Sequence, residues 1–297
     1  MQARMGSRER AAVGEVSRDL VFTNEDFDFI RRIVMEKTGI ALAEHKRELV
    51  YGRLAKRVRA LELDTFARYC TYVEGHDEEL HELVNAITTN LTAFFRESYH
   101  FDHLRDVVVP ELLRSNAERR RIRVWSAGCS TGEEPYSIAM VLRDTVPSTS
   151  GWDVKILATD IDTNVLEKGR SGVYVEERAK DIPAAYRRRF VSKGVGANAG
   201  RIRMREELRS LITFRRLNLM DAWPMSGPFD VIFCRNVVIY FDKPTQRMLF
   251  DRYADLMRPD GHLFVGHSET LFKVSTRFSL VGRTIYRRTN DADGPAK

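Results

Sequence analysis

The chain has 297 residues, 43% hydrophobic and 30% charged, which suits a soluble globular protein of about two domains. Its formal charge of +6 favours acidic partners but is too small to imply nucleic acid by itself. Three cysteines without a CxxC spacing exclude a disulfide framework and a zinc ribbon, and no apolar run reaches the ~18 residues that span a membrane.

Residues 1–18 mix Arg and Glu with no hydrophobic stretch and read as a flexible tail, not a signal peptide. Residues 19–90 read as a helical domain. Thr23-Asn24-Glu25-Asp26 supplies capping chemistry ahead of Phe27, Ile30 and Val34, and Gly39 stops that helix. A second helix over about 45–61 puts Val50, Leu54, Val58 and Leu61 on one stripe, and two shorter helices follow near 64–73 and 77–89. Residues 91–120 link this domain to the next through a helix over 98–117. That helix carries His100-x-x-His103, which has ligand spacing but lacks the Cys or acidic partner of a metal site, so no metal is expected.

Residues 121–288 alternate strands with helices. A strand over 122–126, a loop over 128–132 and a helix over 135–143 are followed by a strand over 154–159 and a helix over 163–170. This alternation predicts an α/β fold with a parallel, doubly wound sheet. An insertion over about 172–215 interrupts it. There Gly194, Gly196 and Gly200 precede the alternating Arg201-Ile202-Arg203-Met204-Arg205, a half-buried strand of a small β subdomain. Residues 211–214 form a third apolar segment. A strand over 229–234, a helix over 245–257 ended by Pro259-Asp260-Gly261, and a strand over 262–265 continue the sheet. Segments 278–281 and 284–287 flank Gly282-Arg283 as an antiparallel hairpin at its edge, and 289–297 form a tail.

The first strand runs into Ser126-Ala127-Gly128-Cys129-Ser130-Thr131-Gly132-Glu133-Glu134-Pro135. Small residues let the backbone turn tightly at the carboxyl end of a strand, where open α/β sheets bind their ligands. Pro135 fits the first turn of the next helix because its missing N–H costs nothing there. The glycines are spaced G-x-x-x-G, unlike the G-x-G-x-x-G of dinucleotide enzymes, and no G-K-S/T follows. A helix N-terminus suits phosphate, but Glu133 and Glu134 would repel one; they suit hydroxyls, an amine or a cation. S-adenosylmethionine carries no phosphate and offers a ribose diol, an ammonium and a sulfonium, so it fits what remains. The second strand ends at Thr159-Asp160, where a carboxylate can accept both ribose hydroxyls. Asn218-Leu219 lies after the third apolar segment and could flank the adenine. Cys234-Arg235-Asn236 ends the strand over 229–234 beside the same crevice.

Five segments, in order, now stand out: Thr89-Asn90-Leu91-Thr92-Ala93-Phe94-Phe95-Arg96-Glu97; Trp125 to Ser137, with its Gly128 and Gly132; Ala158-Thr159-Asp160-Ile161-Asp162; Phe233-Cys234-Arg235-Asn236-Val237-Val238-Ile239-Tyr240-Phe241; and Gly266-His267-Ser268-Glu269. Together they resemble the CheR family of chemotaxis receptor methyltransferases, which methylate glutamates of methyl-accepting chemotaxis proteins. The resemblance covers about residues 20–288. It implies an N-terminal all-helical domain and a Rossmann-like S-adenosylmethionine-binding domain with a small inserted β subdomain. It also implies cofactor contacts from Asn90, Thr92, Arg96, Glu134, Asp160, Asn218, Leu219, Cys234 and Arg235, with S-adenosylhomocysteine as product and no metal. Arg96 and Tyr240 match positions the family places beside the methyl group and the incoming glutamate. Residues 194–205 resemble the family's receptor-tethering subdomain, which in some members binds a short peptide at the receptor's C-terminus. A cytoplasmic monomer is expected, acting on the acidic helical bundle of a receptor, without nucleic acid and without membrane insertion.

The implied reaction needs a carboxylate oxygen to attack a sulfonium methyl in line. A glutamate with pKa about 4.3 is already ionised at neutral pH, so no general base is required, and no Ser-His-Asp or Cys-His set stands out. Placement alone can supply roughly 7–11 kcal/mol, from effective molarities of about 10⁵–10⁸ M. On its residues alone, Phe94-Phe95-Arg96-Glu97 also reads as an ordinary helix start with an exposed ion pair; the resemblance favours the site role. Arg53, Lys56 and Arg57 share one helix face, with Arg59 nearby. Composition reads that face as solvated, whereas the resemblance makes it a docking face for the acidic bundle. Two other functions stay open. A nucleic-acid methyltransferase would want an aromatic platform among its basic segments, and none is present. An idle S-adenosylmethionine-binding signalling module would not need Asn90, Arg96, Glu134, Asp160 and Tyr240 together.

Overall fold

The computed structural model describes residues 20–147 and 151–289. The tails expected at 1–18 and 289–297 lie outside the described residues, apart from Thr289. The first domain comprises α1 (Asn24–Thr38), α2 (Arg47–Ala60), α3 (Phe66–Gly75) and α4 (Asp77–Ile87). Helix α1 starts where the chemistry predicts. Thr23 Oγ1 accepts from the Asp26 N–H at 3.1 Å, and Asp26 returns a bond to the Thr23 N–H at 2.8 Å. It ends at Gly39, whose φ of 72° is left-handed. Phe27, Ile30 and Val34 then meet Val50, Leu54, Val58, Phe66, Tyr69, Leu83 and Ile87 in a separate small core.

The linker helix is built from α5 (Tyr99–His103), a wide π-helical turn at Leu104–Val108 and α6 (Val109–Ser115). The wide turn sits just ahead of Pro110, which has no N–H to continue the regular ladder.

The second domain opens with β1 (Arg121–Ala127), α7 (Glu133–Thr145), β2 (Asp153–Asp160) and α8 (Thr163–Ser171). An inserted unit follows: β3 (Val173–Val175), α9 (Ala184–Phe190), β4 (Val191–Lys193), β5 (Arg201–Met204) and α10 (Glu206–Arg209). Strands β3, β5 and β4 form their own antiparallel sheet. Its alternation is as read: Arg201 and Arg203 are exposed, while Ile202 and Met204 point into the core. The chain then re-enters the main sheet with β6 (Ile212–Arg216), so the last residues of the segment set apart as an insertion pair with β2. It ends with β7 (Phe229–Cys234), α11 (Lys243–Leu256), β8 (Met257–Val265), β9 (Phe278–Gly282) and β10 (Ile285–Arg288).

The main sheet has the order β6-β2-β1-β7-β8-β10-β9. The first five strands run parallel, and β10 and β9 close the edge antiparallel. Neighbouring residues of β1 face opposite layers, Val124 with the α7 and linker side and Trp125 with the α11 side. One detail differs from expectation. Pro259-Asp260-Gly261 does not end a helix; Met257 pairs with Phe229 and His262 with Val231, so residues 258–261 bulge within β8. Strand order reverses between β1 and β7, and that switch point opens a crevice at the carboxyl ends of the strands.

Candidate active site

The crevice begins with the loop after β1. Ala127 lies opposite Thr159, and the N–H groups of Gly128 and Cys129 both donate to the Thr159 carbonyl, at 2.8 and 2.9 Å. This folds the loop over the end of β2. Gly128 has φ of 82°, and a Cβ there would lie 2.3 Å from Val237 Cγ2, so only glycine fits. Ser130 N–H then reaches Asp160 Oδ2 at 2.8 Å, while Asp162 N–H donates to Asp160 Oδ1 at 3.0 Å. Each Asp160 oxygen can accept a second bond. Burial pushes the Asp160 carboxyl up to about 6, against the pull of these backbone donors.

Glu134, in the first turn of α7, forms the other wall. Ser126 Oγ donates to its Oε1 at 2.7 Å and Arg235 Nη1 to its Oε2 at 3.0 Å. Burial raises its pKa and Arg235 opposes the rise. The neighbouring Glu133 does not join it. It is fully buried on the opposite side, taking Arg178 Nη2 at 2.7 Å and Thr131 Oγ1 at 2.5 Å, and so ties the inserted unit to the loop. Of the two carboxylates read at this helix start, only Glu134 faces the crevice.

Arg235 is itself buried and shared. Its Nη2 donates to the Arg96 carbonyl and lies 3.3 Å from Glu97 Oε2. Glu97 also takes His267 Nδ1 at 2.9 Å. Burial pushes the Glu97 carboxyl up, but Arg235, His267 and His100 outweigh it and hold it near 2. Glu269 does similar work on backbone. Its carboxylate accepts the N–H groups of Gly266, Asn236, Val237 and Ile239, which fixes the turn leading to Tyr240.

The helical domain supplies the lid. Thr38, Ile40, Ala41, Leu42, Lys46 and Leu49, from the connection between α1 and α2, line the same cavity. Ala41 N–H donates to the Tyr240 carbonyl at 3.0 Å, and Asn218 Nδ2 to the Lys37 carbonyl at 2.7 Å. Asn90 Nδ2 reaches Asp162 Oδ2 at 2.7 Å, and Ser130 Oγ holds the Asn90 carbonyl at 3.1 Å. The domains therefore meet across the crevice.

Asn90, Thr92, Arg96, Glu134, Asp160, Asn218, Leu219, Arg235 and Tyr240 all line this cavity. Cys234 does not. Its Sγ is buried beneath β7 and accepts the Tyr253 hydroxyl at 3.2 Å. Arg96 donates Nη1 to the Leu91 carbonyl at 2.8 Å, and no carboxylate among the described residues pairs with it. The basic face of α2 divides. Arg53 is held by the carbonyls of Ile87 and Thr88 at the end of α4, and Arg57 clamps Glu79 at 2.6–3.0 Å. Lys56 and Arg59 are exposed. The α1–α2 lid, Glu97 and Glu269 carried no assigned role in the sequence reading. Glu97 and Glu269 lay inside the quoted motifs, but Glu97 meets His267 170 residues away and Glu269 meets the Asn236, Val237 and Ile239 backbone 30 to 33 residues away, so these pairings leave no local pattern.

The acceptor set suits a ligand with hydroxyls and positive charge. Two fixed carboxylates with spare lone pairs, Asp160 and Glu134, face the cavity where a dinucleotide site would present backbone N–H groups. A sulfonium, an ammonium and a ribose diol meet those demands. Among the described residues, no cluster of three or more His, Cys, Asp or Glu could hold a metal ion. No described helix is long and apolar enough to cross a membrane.

Comparison with known proteins agrees with this chemistry. The family described as CheR methyltransferase, SAM binding domain, matches residues 90–287, and the CheR methyltransferase all-alpha domain matches residues 25–88. A chemotaxis protein methyltransferase 2 of Pseudomonas aeruginosa is 49% identical over 89% of this chain and 93% of its own length. The chemotaxis protein methyltransferase of Escherichia coli is 44% identical over 93% and 95%, and that of Salmonella typhimurium 42% over 98% and 99%.

Proposed function

The chain belongs to the CheR methyltransferase family, and from that premise we propose how its crevice methylates chemoreceptors. It is an S-adenosylmethionine-dependent protein-glutamate O-methyltransferase, forming methyl esters on glutamate side chains of chemotaxis receptors. The observation that carries the detailed reading is one cavity lined by two fixed carboxylates and by an arginine, Arg96, that has no carboxylate partner among the described residues.

When bound, S-adenosylmethionine supplies an electrophilic methyl on a sulfonium. Asp160 accepts the ribose hydroxyls and Glu134 the ammonium, and Asn90, Thr92, Asn218 and Leu219 enclose the remainder. Arg235 steadies Glu134, and Cys234 contributes through the backbone at the end of β7. Arg96 offers its guanidinium to the incoming glutamate, and a charge-assisted bond holds that carboxylate in line. Tyr240 completes the alignment. The lid from α1 and α2 excludes water, which suits a step in which opposite charges cancel.

Docking extends the reading. Lys56 and Arg59 attract the acidic helical bundle of the receptor, while Arg53 and Arg57 stiffen the helix that presents them. The β3-β5-β4 unit binds a short peptide at the receptor's C-terminus, and the enzyme works as a cytoplasmic monomer. A tritiated-methyl assay against receptors from the same cell tests the core reading. Base-labile label on receptor glutamates, sharply reduced in Arg96→Ala and Asp160→Ala, is the expected result. Label on RNA or DNA would establish the nucleic-acid alternative, and no label from protein that binds S-adenosylhomocysteine would establish an idle module.

A further inference from the structure

Arg96 lies in an unusual stretch of backbone. Phe95 and Glu97, its neighbours on either side, both have left-handed φ, 52° and 58°. Neither is glycine, and such residues persist only where the surroundings hold them. On one side, the Phe95 N–H donates to Ser137 Oγ at 3.0 Å, and its ring packs against Phe101 and Tyr186 with centroids 5.1 and 5.6 Å away. On the other side, the hold is electrostatic. Glu97 meets Arg235 at 3.3 Å, His267 at 2.9 Å and the Tyr99 hydroxyl at 3.3 Å, with His100 Nδ1 3.5 Å away. Arg235 closes the circuit by donating to the carbonyl of Arg96.

We infer that Glu97 is a positioning residue for methyl transfer: by holding Arg235 against the Arg96 carbonyl, with His267 as an outer brace, it fixes where the Arg96 guanidinium meets the substrate carboxylate. The inference rests on the reading of Arg96 as the ligand of the incoming glutamate. Glu97 does not line the cavity, so it touches neither cofactor nor substrate. Its effect passes through one guanidinium to one backbone carbonyl. Arg235 keeps its second anchor, Glu134, when Glu97 changes, so the cofactor wall survives. Glu97→Gln keeps the volume and removes the charge that aims Arg235.

The test is a double-mutant cycle on single-turnover methylation of a receptor, with S-adenosylhomocysteine affinity measured by calorimetry on each protein. Small misplacements of a catalytic group cost up to about 100-fold. Glu97→Gln is therefore expected to slow transfer by about tenfold or more, while product affinity changes by less than about threefold. In the Arg96→Ala background the same substitution should cost less than about twofold, because the group it aims is gone. His267→Gln should show the same non-additivity with a smaller loss, and it serves if Glu97→Gln fails to fold. Equal fold-losses in both backgrounds would overturn the inference, since a merely structural residue adds its damage. So would a loss of transfer that tracks loss of product affinity. Failure of the underlying reading would look different: Arg96→Ala alone would transfer methyl to the receptor at close to the parental rate.

Discussion

Two buried carboxylates, one in each domain, receive opposite treatment. Glu79 in the helical domain is 3% exposed and fully partnered, by a bidentate clamp from Arg57 and the Tyr69 hydroxyl at 2.9 Å. Asp160 at the end of β2 is 9% exposed and, among the described residues, pairs with no cation; it accepts backbone N–H bonds and keeps lone pairs to spare. Burial pushes Asp160 up to about 6, whereas the Glu79–Arg57 bridge raises Arg57 above its usual value, chiefly through the hydrogen bond to Glu79. The helical domain resolves its buried charge internally. The crevice leaves its own unresolved, and an incompletely answered buried group is what a ligand can answer.

The largest effect should come from removing that unresolved charge. Asp160→Asn loses two charge-assisted bonds to the ribose, and bonds to charged groups are worth about 1.5–3 kcal/mol each. Affinity for S-adenosylhomocysteine should fall by about 100-fold or more by calorimetry, while the melting temperature holds or rises. A falling melting temperature with retained affinity would reverse the comparison. The mirror experiment is Arg57→Ala, which strands Glu79 in the core. Discounted for the partial exposure of Arg57, this should cost about 2–3 kcal/mol in urea unfolding and leave cofactor affinity near parental. If Arg57→Ala instead abolished only receptor methylation, at full stability, its role would be docking.

The pH dependence sharpens the same contrast. Asp160 has a folded-state pKa of about 6, above the usual carboxylate value near 3.9. The folded state therefore holds its proton more tightly than the unfolded chain. The stability contribution of this group is present below about 4 and lost as pH rises toward about 6. Cofactor binding runs the other way, because the ribose hydroxyls need the ionised form. Affinity for S-adenosylhomocysteine should weaken by up to about tenfold per pH unit below about 6, and the part of this dependence that Asp160 carries should vanish in Asp160→Asn. Unchanged affinity between pH 7 and 5 would show that Asp160 does not carry the ribose.

These contrasts also mark what the sequence could reveal. The capping box at Thr23, the stop at Gly39, the strand-end position of Asp160, the helix-start position of Glu134, and the alternation at Arg201–Met204 are local, so periodicity and side-chain chemistry expose them. Pairing is not local. The clamp of Arg57 on Glu79 spans 22 residues and the bond of Arg235 to Arg96 spans 139, so four basic residues that look alike on one helix divide into two structural and two exposed ones only in three dimensions. Glu133 and Glu134 make the same point over one residue, since the helical turn sends adjacent side chains to different sides. The bulge at 258–261 was hidden because Pro-Asp-Gly signals a break without saying whether a helix or a strand is broken.

The smallest expected effect separates those two kinds of basic residue. Lys56 and Arg59 are exposed, and Lys56 and Arg59 form none of the ion pairs found among the described residues, so charge reversal there should leave stability within about 0.5 kcal/mol. Exposed charge contacts are worth about 0.2–1 kcal/mol each, so the double reversal should lower kcat/KM for receptor by only about three- to tenfold at low salt. With the Debye length falling from about 30 Å at 0.01 M ionic strength to about 8 Å at 0.15 M, most of that loss should disappear at the higher salt. Reversal at Arg53 or Arg57 should differ in kind, lowering the melting temperature by an amount salt does not restore. If all four positions responded alike, in salt dependence and in stability, the division of this face into buttress and contact would be wrong.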